Sequence, residues 1–92
     1  MADVAVLQMP AFKRAYKKLV ATHRAVVEDA VRQIVADPDI GEVKKGDLAG
    51  VYDYKFFLNR QQMLLAYEWD PGKRVLLLLG SHENFYRDLK RD

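Results

Sequence analysis

The sequence predicts an α+β domain, and three observations carry that prediction. Two consecutive segments, residues 10–20 and 22–36, repeat apolar residues with the helical period. Residues 51–80 are instead rich in aromatic and branched side chains, broken up by turn residues. A short apolar run at residues 4–8 precedes the helices. The expected architecture is therefore an N-terminal strand, a helical hairpin, a three-stranded antiparallel meander joined by the first strand, and a short C-terminal helix. All of it falls in a single domain, residues 1–92.

Val4 to Gln8 reads as the first strand, and Pro10 supplies the fixed φ that suits a first helical turn. Phe12, Ala15, Tyr16, Leu19 and Val20 form a core-facing stripe, with Lys13, Arg14, Lys17 and Lys18 on the remaining faces. Thr22 is a candidate cap for the second helix. In that helix Val26, Val27, Ala30, Val31, Ile34 and Val35 repeat the pattern until Asp37-Pro38 stops it. Residues 37–50 hold Pro38, Gly41, Gly46 and Gly50 and show no apolar period, so they read as a long connection, either functional or simply solvated.

Three strands fit the remainder, at about 51–58, 62–69 and 74–80. Asn59-Arg60 and Asp70-Pro71-Gly72-Lys73 supply the turns. Alternation puts Tyr52, Tyr54, Phe56 and Leu58 on one face of the first of these strands and Val51, Asp53, Lys55 and Phe57 on the other, so Lys55 points away from the helix-packed core. Val75 to Leu79 is apolar on both faces, which calls for something over the second one: the C-terminal helix or a bound partner.

Half of the residues are apolar, 30% are charged, and the net charge is +2, the balance of an ordinary globular domain. That charge is too small to argue for nucleic-acid binding by itself. There is no cysteine, which excludes disulfide, thiolate-metal and thiol redox chemistry. The sequence carries no signal-peptide pattern, no apolar run long enough for a bilayer, no Gly-rich phosphate loop, no zinc spacing and no Ser/His/Asp order. The expectation is a cytoplasmic protein that uses neither metal nor cofactor.

The chemistry-bearing stretch is Gly80-Ser81-His82-Glu83-Asn84-Phe85-Tyr86-Arg87-Asp88-Leu89-Lys90-Arg91, directly after the apolar strand. With Ser81 as a helix cap, His82 falls in the first turn and Tyr86 one turn later on the same side. Phe85 and Leu89, four apart, suit a packing face. The order of elements, this run, and the segments Lys44-Lys45-Gly46-Asp47-Leu48-Ala49-Gly50, Tyr54-Lys55-Phe56 and Leu65-Ala66-Tyr67 together resemble the RelE/ParE superfamily of bacterial toxins, more narrowly its ParE-like branch.

That resemblance implies a compact toxin neutralised by a cognate antitoxin. It also implies one of two activities, cleavage of messenger RNA on the ribosome or inhibition of DNA gyrase by protein binding. By position, His82, Tyr86, Lys55 and Glu83 match the site of the RNA-cleaving members. His82 would be base or acid, Lys55 the charge stabiliser, Tyr86 a proton donor or stacking platform, and Glu83 an alternative base or the group that orients His82. Lys44, Lys45, Arg60, Arg87, Lys90 and Arg91 are the candidate RNA-binding cations. The sequence departs from the RNA-cleaving pattern at Phe57 and Leu64, where those enzymes tend to carry positive charge. An apolar outer face suits a protein interface better than an RNA backbone.

Overall fold

A computed structural model describes residues 3–44 and 46–81, the side chain of Asp47 excepted. Its centre is a five-stranded sheet in the order β1-β5-β4-β3-β2. The strands are β1 (Ala5–Gln8), β2 (Glu42–Val43), β3 (Tyr52–Leu58), β4 (Gln61–Asp70) and β5 (Lys73–Ser81). β1 runs parallel to β5, and the other pairs are antiparallel. The predicted meander is thus present, joined by the first strand. The predicted C-terminal helix lies outside the described residues.

Pro10 opens α1 (Pro10–Lys17) as expected, while α2 (Ala21–Ala36) begins two residues earlier than a Thr22 cap would require. Val20 is the capping residue and supplies no side-chain bond, so Thr22 lies inside the first turn. Leu19 N–H closes α1 on the Tyr16 carbonyl, and Arg24 N–H already bonds the Val20 carbonyl, which leaves no room for a later start. The Tyr16 hydroxyl donates to the Glu28 carboxylate and ties the two helices together. That bond raises the pKa of the Tyr16 phenol above its ordinary value.

Phe12, Val27 and Ile34 pack on one face of the sheet against Leu58, Met63, Leu65, Tyr67, Leu76 and Leu79. Val20 and Val26, expected in the apolar stripes, are exposed instead. The buried set of α2 is Val27, Ala30 and Ile34, a narrower stripe that the sheet covers.

The connection from 37 to 50 is more ordered than its lack of period suggests. It holds a 3-10 turn at Pro38–Ile40, the two-residue β2, and a second 3-10 turn at Gly46–Leu48. Tyr67 organises it from below. Its buried hydroxyl donates to the Pro38 carbonyl at 2.6 Å and accepts from Gly41 N–H at 3.0 Å. A Cβ on residue 41 would stand 2.5 Å from that oxygen, so glycine is the residue that fits. Burial pushes the Tyr67 pKa up to about 12.

At the same end of the sheet, next to Tyr67 along the paired strands β4 and β5, the buried Arg74 bonds the carbonyls of Ile34 and Val35, at 3.3 and 3.1 Å, and so closes the C-terminus of α2. Its guanidinium also covers the Trp69 ring, 5.6 Å from the centroid.

Candidate functional site

The outer face of the sheet, opposite the helices, carries the charged candidates. Strand alternation delivers Asp53, Lys55 and Phe57 there, as predicted. Cross-strand register then sets their neighbours. Asp53 lies beside Ala66 and Glu42, Lys55 beside Leu64, and Phe57 beside Gln62. Leu64 in turn pairs with Gly80, so Lys55, Leu64 and Gly80 form one row across three strands. At one strand spacing per step, the Lys55 and Gly80 backbones are about 10 Å apart. The next row, Phe56, Met63 and Ser81, ends where β5 ends.

A register shift at Ala66/Tyr67 inserts one extra residue of β5 opposite β4. Leu77 and Leu78 therefore both pack on the outer side, with Leu48, Val51, Leu64 and Ala66. This accounts for the two-faced apolar run of β5. Leu64 is fully buried and Phe57 is 63% exposed, so the apolar outer face is closed at its centre and open near the β3–β4 turn.

Beside this apolar centre lies a mixed-charge group. Lys44 Nζ is 3.3 Å from Asp53 Oδ2 and 3.3 Å from Glu42 Oε1, while Lys55 Nζ is 3.9 Å from Glu42 Oε2. Lys44 and Asp53 are the inner members, with side chains 16% and 1% exposed. Lys55 and Glu42 face solvent, at 44% and 64%. Among the described residues two ammoniums and two carboxylates thus sit together, and their charges balance.

Of the candidates named from sequence, Lys55 occupies the outer face in the row that reaches Gly80. Lys44 is drawn in toward Asp53 and Glu42. Arg60 is exposed in the β3–β4 turn, where Asn59 adopts a positive φ of 57° and reaches His23 Nε2 at 3.1 Å. That turn is at the same end of the sheet as Ser81, since Leu58 pairs with Gln61 and Met63 with Ser81. Lys45, His82, Glu83, Tyr86, Arg87, Lys90 and Arg91 lie outside the described residues. Among the described residues no cluster of three acidic or histidine side chains is arranged to hold a metal ion, and no helix is long and apolar enough to cross a membrane.

Glu42 was not singled out by the sequence, and Asp53 was placed on the outer face without a role. The available signal was the pair Glu42-x-Lys44 and Asp53-x-Lys55, opposite charges two apart on segments that become neighbouring strands.

A family model described as the ParE-like toxin of type II bacterial toxin-antitoxin systems matches residues 6–90. The chain belongs to this family. The toxin is similar in fold to solved structures of the same RelE/ParE superfamily. One is the toxin-antitoxin complex RelBE2 of Mycobacterium tuberculosis, with a TM-score of 0.69 and 24% identity, covering 89% of this chain and 94% of that one. Another is the intact Escherichia coli RelBE toxin-antitoxin complex, at 0.68 and 18%, covering 87% and 98%. A third is the YoeB/ParE toxin of Agrobacterium tumefaciens, at 0.67 and 15%, covering 86% and 99%. No curated protein matches the chain in sequence. At these identities the structural likeness is one of fold, which hosts more than one activity.

Proposed function

We propose that this toxin cleaves messenger RNA on the ribosome without a metal, in the cytoplasm, and that a cognate antitoxin neutralises it. The observation that carries the reading is the row Lys55, Leu64, Gly80, which puts Lys55 on the outer face with its backbone about two strand spacings from the end of β5. The sequence continues from there into Ser81-His82-Glu83 and Tyr86. The antitoxin-bound state of the M. tuberculosis and E. coli relatives supports the partner.

In this reading His82 or Glu83 takes the proton of a ribose 2′-hydroxyl, and the 2′-oxygen attacks the adjacent phosphorus. Lys55 stabilises the charge that builds on the phosphoryl oxygens. Tyr86 or the protonated His82 gives a proton to the departing 5′-oxygen. The products are a 2′,3′-cyclic phosphate and a 5′-hydroxyl, with no external co-reactant. Primer extension on transcripts after induced expression should show cuts with the wild-type chain and lose them with His82→Ala. Equal cutting and equal growth arrest by the two would remove the nuclease mechanism.

A second reading, inhibition of DNA gyrase by protein binding, is favoured by one specific observation. Phe57 is exposed beside Lys55, whose charge is shared with Glu42. A supercoiling assay with purified gyrase tests it, and inhibition at stoichiometric toxin would establish it.

A further inference from the structure

We infer that Glu42 is a resident competitor at Lys55, a carboxylate that holds the ammonium in place and that an RNA phosphate must displace; the inference rests on the RNA-cleaving reading above. Glu42 is fixed from both sides. Gly41 before it is bonded to the Tyr67 hydroxyl, and Glu42 itself pairs with Asp53 across β2 and β3. Its carboxylate is then divided: Oε1 binds Lys44, and Oε2 faces Lys55.

Lys44 is mostly buried and is also held by Asp53, so it anchors the Glu42 side chain rather than competing for solvent. An isolated exposed pair such as Lys55 with Glu42 would be weak and readily broken. Anchoring by Lys44 removes much of the side-chain freedom that makes such pairs weak. The consequence is an anion kept beside Lys55, where it competes with a phosphate oxygen for the ammonium. Glu42 is thus a positioning residue that sets how strongly Lys55 attracts RNA.

The test is binding of the full chain to a fluorescent 2′-O-methyl RNA oligonucleotide, which lacks the attacking hydroxyl, followed by anisotropy over a range of salt. Circular dichroism melting confirms that each variant is folded. Glu42→Gln should bind about threefold to fivefold more tightly at low salt than wild type. Its salt dependence should steepen by about 0.7 in logarithmic slope, the value of one added phosphate contact on a single strand. The gain should vanish in the Glu42→Gln/Lys55→Gln double variant when compared with Lys55→Gln alone. Glu68→Gln, the same charge change at an exposed position of β4, should show no such gain.

Identical binding by wild type and Glu42→Gln, including no binding by either, overturns the inference. So does an equal gain in Glu68→Gln or in the Lys55→Gln background, since the effect would then be one of net charge. The underlying reading fails separately: a Lys55-dependent gain without transcript cleavage would leave Glu42 as the competitor at an anion site that is not a nuclease.

Discussion

The two faces of the sheet are made by the same strands and do opposite work. On the helix side Val27, Ile34, Leu65 and Tyr67 are fully buried, and the polar atoms of Tyr67 and Arg74 are bonded to backbone groups. On the outer side a small apolar centre of Val51, Leu64 and Ala66 adjoins Glu42, Lys44, Asp53 and Lys55, with Phe57 exposed near the turn. Two helices stabilise the fold by covering one face, while on the other Glu42, Lys55 and Phe57 stay exposed.

Truncations on the two faces should break the comparison most sharply. Leu65→Ala should destabilise by about 2–5 kcal/mol in urea unfolding, because it leaves a cavity that the helices cannot fill. Gly41→Ala should cost about 2 kcal/mol, since the new Cβ meets the Tyr67 oxygen and the Asp53 carbonyl and β2 must shift. Tyr67→Phe should cost about 1–2 kcal/mol at neutral pH by removing the partner of Gly41 N–H and Pro38 O.

That last deficit has a pH signature. The Tyr67 phenol titrates near 12 in the folded chain and near 10 when unfolded. The unfolded state therefore loses its proton first as pH rises. The stabilisation is complete below pH 10 and is lost between pH 10 and about 12, so the gap between wild type and Tyr67→Phe should narrow across that window. Tyr16 loses stability in the same direction, and the difference between the two proteins isolates Tyr67.

Phe57→Ala is the smallest expected change, within about 0.5 kcal/mol in stability. It nevertheless sharpens the functional comparison. Growth arrest should survive this substitution if the outer face acts through Lys55 on RNA, and loss of arrest in the folded variant would favour the protein-binding reading.

Both helices and the three long strands were legible because each repeats its period several times. Lys55 could be assigned to the outer face from alternation alone. β2 was not legible, since two residues contain no period. Tyr67 and Arg74 gave no local sign of their roles because the backbone groups of α2 and the connection that they bind are 26 to 40 residues away in the chain. Arg74 in particular is a charge that local reading assigns to the surface, yet it is buried where two helix-terminal carbonyls need donors. In the site, the face was readable but the sharing of Glu42 between two lysines was not, because it depends on the pairing of β2 with β3.

The parallel pairing of β1 with β5 bears on how such a toxin is made. Ala5 finds its register partner in Lys73, and Met9 N–H bonds the Leu76 carbonyl. During synthesis β1 emerges before the other strands, and its one strand partner becomes available only when β5 has left the ribosome. The helical hairpin and the β3–β4 hairpin can form in the meantime from local contacts. The row carrying Lys55 is completed only by Gly80, so the outer surface cannot be complete before β5 pairs with β4.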